Sequence, residues 1–238
     1  MRALIVHAHP EPESFTGAMR DTIVDALQER GDEIEVVDLY RLGFNPVLSR
    51  ADFPAPSNPD NFAYTAEQRA GYKSANLARD IMEQIEAVLA ADLLVLTFPV
   101  YWFSMPAILK GWIDRVFLAG PMYSGRNMYA RGGMRGRRAL VAASLGGRDH
   151  MFGPMALHGE LERGMMSHLL QGSLGVVGYD VIAPFWAYHA PYVDQAARIR
   201  MLEELRAYVL NLEAAPTLPM PDLECFDDRF RRIPATEN

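Results

Sequence analysis

The sequence predicts an α/β fold of the doubly wound kind, a five-stranded parallel sheet with helices on both faces. Three observations predict it. Short, continuously apolar runs recur at Ala3 to Val6, Leu93 to Phe98 and Ala139 to Ala143, as strands buried on both faces read. Amphipathic segments of helical period alternate with them. Each run ends abruptly in small, polar or ring-bearing residues, at the strand ends where open sheets of this kind take their ligands.

The 238 residues, half of them hydrophobic, fit one large domain over residues 1–212 and a C-terminal extension over 213–238. A net charge of -7 disfavours a nucleic-acid partner, which needs a basic face. The single cysteine, Cys225, permits no intrachain disulfide and suits a reducing compartment. The apolar start of the chain is too short for a signal core, and Leu93 to Phe103 is too short to span a bilayer. A cytoplasmic protein with no integral membrane association is the expectation.

Ala3 to Val6 is the first strand, ended by His7, Ala8, His9 and Pro10. Ser14, or Thr16 beside it, caps a helix whose stripe is Phe15, Met19, Ile23, Ala26 and Leu27, with Gly31 as its C-terminal stop. The turn HAHPEPESF holds no GxGxxG, so it is no ordinary dinucleotide fingerprint. A phosphate can still rest on the helix N-terminus, with His9 and Ser14 as side-chain donors. A surface loop with a capping serine is the plainer alternative. Ile34 to Leu39 is the second strand. Tyr40 to Thr65 is irregular and proline-rich, as functional or partner-packed loops are. Ala66 to Ala90 reads as one helix.

Leu93 to Phe98 is the third strand, broken by Pro99. Val100, Tyr101, Trp102 and Phe103 follow it. Ser104 is the expected cap of the next helix, with Pro106 in its first turn. Trp112 and Phe117 lie on that helix's apolar stripe and read as core. Gly120 to Arg138 is glycine- and arginine-rich, a substrate rim or a plain loop. Ala139 to Ala143 is the fourth strand. It opens into Ser144, Leu145, Gly146 and Gly147, small enough for backbone amides to approach a flat or anionic ligand. A helix over His158 to Leu170, a fifth strand over Val176 to Pro184 and a helix over Gln195 to Asn211 complete the fold, before a proline-rich tail.

The strand order is then flavodoxin-like, 2-1-3-4-5, which brings the loops beginning at His9, Pro99 and Ser144 to one rim. Small residues, large rings and helix-start donors on one rim suit a planar ring with a phosphate-bearing tail. A metal is not expected, because no Asp or Cys stands at ligand spacing beside His7 and His9. Without G-x-S-x-G, Ser104 and Ser144 are poor nucleophile candidates.

Six stretches, RALIVHAHPEPESF, GFNPVLSR, DNFAYTAE, DLLVLTFPVYWFSMPAILKGWIDRVF, ALVAASLGG and AARIRMLEEL, occur in order along nearly the whole chain. Together they resemble the flavin-dependent NAD(P)H:quinone oxidoreductases of DT-diaphorase type. The resemblance implies a homodimer with two sites at its interface, FAD as cofactor (FMN being the alternative), and ping-pong transfer of two electrons from NAD(P)H to a quinone or similar flat acceptor. It assigns His9, Ser14, Phe15 and Thr16 to the cofactor tail. Pro99, Val100, Tyr101, Trp102, Phe103, Ser144, Leu145, Gly146 and Gly147 fall to the ring, and Asp114 and Arg198 to further polar positions. Tyr123 and Phe152 are implied for substrate, and His158 for substrate and catalysis. The chain departs from the family where it has Phe152 and Gly125 in place of tyrosines, Ala63 in place of a glutamine and Thr16 in place of an asparagine. A phenyl ring can shape a pocket but donates no hydrogen bond. A non-enzymatic flavin-binding electron carrier is the competing reading.

Overall fold

A computed structural model describes residues 1–234; the last four residues of the predicted C-terminal extension lie outside the described residues. The chain builds β1 (Arg2–His7), α1 (Phe15–Glu29), β2 (Glu33–Asp38), α2 (Tyr64–Lys73), α3 (Arg79–Ala90), β3 (Leu93–Pro99), α4 (Ala107–Val116) and β4 (Arg138–Ser144). After these come the short α5 (Ser167–Leu169), β5 (Asp180–Val181), β6 (Phe185–Ala187) and α6 (Gln195–Leu210). The sheet runs β2-β1-β3-β4-β5, with β6 also on β4 and every pairing parallel. The expected strand order therefore holds.

Alternation along the strands separates two cores, because successive side chains leave a strand on opposite faces. Ala3, Ile5, Leu93, Val95, Leu140 and Ala142 pack with Met19 and Ile23 of α1 and Leu205 and Val209 of α6. Leu4, Val6, Leu94, Leu96, Val141 and Ala143 pack on the other face with α3, α4 and the segment around α5. Ser14 caps α1 as expected, accepting the Gly17 N–H at 3.0 Å. Gly31 follows it at φ +79°, a left-handed stop that glycine adopts without steric penalty.

Four expectations are corrected. The helix read over Ala66 to Ala90 is two, α2 and α3, separated at Ala75 with φ +53°. The break is tertiary: Asn76 donates to the Ala55 carbonyl at 2.5 Å and the Ala78 N–H to that of Asp52 at 2.9 Å. Ser104 does not cap α4. Pro106 holds the cap position without a side-chain bond, and the Ser104 hydroxyl meets Nε2 of His168 at 3.1 Å. The helix expected over His158 to Leu170 begins only at Leu161, and α5 is flanked by π-helical turns at Leu161–Met165 and Leu170–Gly175. The fifth strand is interrupted: Ala183 and Leu218 N–H groups bond Pro216 and Val181 carbonyls, pairing the edge with the tail and dividing it into β5 and β6.

The long loop after β2 is held by buried ionic groups. Arg115 of α4, only 4% exposed, bonds Asp52 through two nitrogens at 3.1 and 3.3 Å and the Asn45 carbonyl at 2.7 Å. Glu67 of α2 receives the Ser57 and Asn58 N–H groups and the Ser57 hydroxyl. Burial works to raise its carboxyl pKa, and those bonds outweigh it and hold the pKa below the ordinary value. In the extension, Glu224 and Asp228 pair with Arg131 and Arg126 of the chain's own glycine-rich loop.

Candidate active site

Parallel neighbours end on one edge. The C-termini of β1, β3 and β4 at His7, Pro99 and Ser144 thus form a single rim, and the rim carries a cleft of about 490 Å³. Val100, Trp102 and Phe103 form one wall. Leu145, Gly146 and Gly147 form the opposite one, and Met151, Phe152 and His158 close an end. Among the described residues no carboxylate lines it, and its basic side chains are Arg148, His158 and His189. Such a lining favours a flat, electron-rich or anionic ligand over a cationic one.

The aromatic wall is a strained turn. Tyr101 and Ser104 exchange both backbone hydrogen bonds, at 2.9 and 3.0 Å. The two residues between them, Trp102 and Phe103, both have positive φ, +50° and +59°. Turns of this hand are normally made by Asn and Gly, and each bulky residue held there costs about 1–3 kcal/mol. The strain lifts the Trp102 ring into solvent, 96% exposed, while Phe103 lies against His158 with ring centroids 5.0 Å apart. Phe152 also lies against His158, at 5.4 Å, and reaches Tyr188 at 5.8 Å. Tyr101 lies outside the cleft lining, and burial, then Tyr40, raises its phenol pKa.

The glycine wall is fitted to these rings. A β-carbon on Gly147 would stand 2.7 and 2.8 Å from two atoms of Phe152. The Gly146 and Gly147 N–H groups have no protein acceptor among the described residues. At the start of α1, the N–H groups of Phe15 and Thr16 have no intrahelical partner, as the geometry of a first turn requires. Nδ1 of His9 lies 3.0 Å from both the nitrogen and the carbonyl oxygen of Glu11, which holds the ring against the loop. A β-carbon at Gly17 would be 2.4 Å from the Pro12 carbonyl oxygen, so the loop lies directly on the helix start. These groups fit a flavin: aromatic walls for a ring, free amides for its polar edge, and a helix N-terminus for phosphate.

Below the rim lies a polar layer. Thr16 and Ser144 are buried, and their hydroxyls meet each other at 2.8 Å. His7 is wholly buried, with Nδ1 2.8 Å from the Thr97 hydroxyl and Nε2 without a partner. Burial, then the Arg20 cation, lowers its pKa to about 4, so the ring is neutral at pH 7. Arg198 of α6 donates to the Ala190 and Pro191 carbonyls at 3.1 and 3.2 Å and braces the loop beside the cleft.

Tyr123 stands elsewhere. It lines a second cleft of about 440 Å³ with Tyr64, Asp114 and Phe117, apart from His158 within one chain. Conversely, Arg148, Met151, His189 and Tyr192 line the first cleft, and sequence reasoning did not single them out. The signal available for the last pair was WAYHAPY, an aromatic cluster hidden by the misplaced end of the fifth strand. Among the described residues no three His, Cys, Asp or Glu side chains converge to hold a metal, and no helix is long and apolar enough to cross a membrane.

A family model for the flavodoxin-like fold matches residues 1–209. The chain is 35% identical over 231 residues to NAD(P)H dehydrogenase (quinone) 1 of Cavia porcellus, covering 97% of this chain and 84% of that one. It is 40% identical over 184 residues to ribosyldihydronicotinamide dehydrogenase (quinone) of Mus musculus, with coverage of 77% and 79%. Among solved structures, one from Klebsiella pneumoniae, described as a candidate quinone reductase, superposes with a TM-score of 0.87. It is 29% identical, with 92% of this chain and 87% of that chain covered.

Proposed function

The chain belongs to the flavodoxin-like family, and on that premise we propose that it is a flavin-dependent NAD(P)H:quinone oxidoreductase. The observation that carries the reading is the cleft between Trp102–Phe103 and Gly146–Gly147, with His158 in contact with the Phe103 and Phe152 rings at its end. Bound flavin supplies two-electron chemistry that no side chain here possesses. The protein's part is orientation, water exclusion and charge. Phe103 and Val100 offer a face for the ring, and the amides of Gly146 and Gly147 offer donors to its electron-rich edge. His158 is the proton-carrying group beside the space for the acceptor, and Phe152 shapes that space without competing for the proton.

FAD is the proposed form, with FMN as the alternative. The α1 N-terminus, His9 and Ser14 extend the rim beyond the ring cleft and give a dinucleotide tail its phosphate donors. NAD(P)H is the proposed donor; the longer of the two matches to relatives, to the NAD(P)H dehydrogenase, supports it. A homodimer with the site at its interface is supported by the exposed apolar rim, where Trp102, Met155 and Leu157 are 96%, 98% and 78% exposed. In that dimer the Tyr123 cleft of one chain faces the His158 cleft of its partner, and the described part of the extension, residues 213–234, packs at the interface. The lone Cys225 and the acidic charge fit a cytoplasmic setting.

The test is reconstitution of the purified chain with FAD and FMN separately, followed by stopped-flow reduction with NADH, NADPH and dihydronicotinamide riboside and re-oxidation by a benzoquinone. FAD binding, fast reduction by NAD(P)H and parallel-line steady-state kinetics are expected. Flavin binding without reduction by any donor would establish the electron carrier instead, and sedimentation at the mass of one chain would remove the dimer.

A further inference from the structure

We propose that His189, through Nδ1, is the positioning residue that turns the Gly146–Gly147 peptide so that its N–H faces the cleft. The inference rests on the flavin reading above and deepens it.

Three consecutive carbonyls after β4 are captured by one short segment. The Leu145 carbonyl accepts the Ala190 N–H at 3.2 Å, and the Gly147 carbonyl accepts the His189 N–H at 2.8 Å. Between them, the Gly146 carbonyl meets Nδ1 of His189 at 2.8 Å. A carbonyl only accepts, so Nδ1 carries the proton. In a planar trans peptide the C=O and the following N–H point in opposite directions. Holding these carbonyls toward residues 189–190 therefore turns the N–H groups of Gly146, Gly147 and Arg148 the other way. The third meets the Met151 sulfur at 3.4 Å. The first two are the unpartnered donors of the cleft. Two of the three carbonyls are held by main-chain N–H groups of residues 189 and 190, which any non-proline residue at 189 preserves. The middle one depends on a side chain.

Position 189 is also conformationally demanding. His189 has φ +57°, a left-handed conformation that glycine and asparagine adopt most readily. Its ring is backed by Tyr192 at 5.0 Å, and the Tyr192 N–H bonds the His189 carbonyl at 2.9 Å. A strained histidine kept where glycine would be easier points to work for the imidazole. Releasing the Gly146 carbonyl would let one peptide rotate and present oxygen in place of N–H to the cofactor's electron-rich edge.

The test separates the ring from the backbone. His189→Gly keeps the left-handed turn and removes the donor; His189→Asn keeps the turn and returns an N–H near the position of Nδ1. Flavin affinity is read by fluorescence titration, the bound flavin's midpoint potential by dye equilibration, and folding by melting of the flavin-free protein. The expected result for H189G is melting close to wild type, at least ten-fold weaker binding of oxidised flavin, and a further ten-fold loss for the reduced form. That second loss lowers the two-electron potential by about 30 mV. H189N is expected within three-fold of wild type in affinity, with most of the potential restored. If H189G does not fold, H189N against His189→Asp carries the same comparison, Asp lacking the donor. Wild-type affinity and potential in H189G, or no difference between Asn and the donor-less variant, overturns the inference while leaving the flavin reading intact. A wild-type chain that binds no flavin overturns both.

Discussion

Gly147→Ala places a methyl group where the structure has ring carbons. The added carbon would lie 2.7 and 2.8 Å from Cε2 and Cζ of Phe152, whereas carbon pairs settle at about 3.5–4.0 Å. One side must yield by roughly 0.7 Å or more. Phe152 cannot swing freely, because His158 stands at 5.4 Å and Tyr188 at 5.8 Å. Overpacking of this kind costs about 1–3 kcal/mol. Expressed wholly in the cleft, that is roughly a 5- to 150-fold rise in flavin Kd. The assay is flavin titration of wild type, G147A, F152A and the double variant, with melting of each flavin-free protein. Removing the ring removes the clash, so G147A in the F152A background should change affinity by less than about 0.5 kcal/mol, a non-additivity expected only of residues in contact. Wild-type affinity in G147A, or an equal penalty with and without Phe152, would refute the packing argument.

His158→Gln should leave flavin affinity within a few-fold and slow re-oxidation by quinone by about 100-fold, the lower end for a positioned proton donor; unchanged rates in both half-reactions would remove His158 from the mechanism. His7 is neutral when folded, with its pKa lowered from 6.5 to about 4. The unfolded chain takes up a proton first, so stability rises with pH across that window, by up to about 1.4 kcal/mol per pH unit. Urea unfolding from pH 4 to 7 should show that slope reduced in a His7→Leu/Thr97→Val variant, and an identical slope would falsify the assignment. Asp52→Ala strands the Arg115 guanidinium with only the half-exposed Asp80, at 3.1 Å, as its remaining acidic partner. Breaking such a buried pair costs about 3–5 kcal/mol in urea unfolding; a loss below 1 kcal/mol would mean that Asp80 substitutes for Asp52.

The sheet was legible because its information is local. Branched apolar runs bounded by polar residues need both faces covered, and Ala3 to Val6, Leu93 to Phe98 and Ala139 to Ala143 all became strands in the expected order. The cap at Ser14 was legible for the same reason. What was not legible depended on distant partners. Nothing in the local sequence breaks a helix at Ala75; bonds from Asn76 and Ala78 to residues 55 and 52 do so. The end of the fifth strand is set by pairing with the tail, some 35 residues away. That error hid His189 and Tyr192, because residues placed beyond a strand look like linker until the strand's end is known. Ser104 had the composition and position of a cap, but Pro106 stands between it and α4.

Thr16 and Ser144 show how the two halves of the rim are kept in register. One lies in the first turn of α1, whose leading N–H groups have no intrahelical partner; the other ends β4, one residue before the amide wall. Their hydroxyls share a buried bond of 2.8 Å. Thr16→Val preserves shape but leaves the Ser144 hydroxyl buried and unsatisfied, at a cost of about 1–3 kcal/mol. Removing both hydroxyls, as in T16V/S144A, leaves no orphan, so fold stability should return to within about 1 kcal/mol of wild type. Flavin affinity should not return with it, because the tether between the helix start and the glycine wall is still gone. Melting of the flavin-free protein and flavin titration of the same three variants therefore move apart. Recovery of both together in the double variant would mean that the pair satisfies burial alone and that the rim is aligned by its strands.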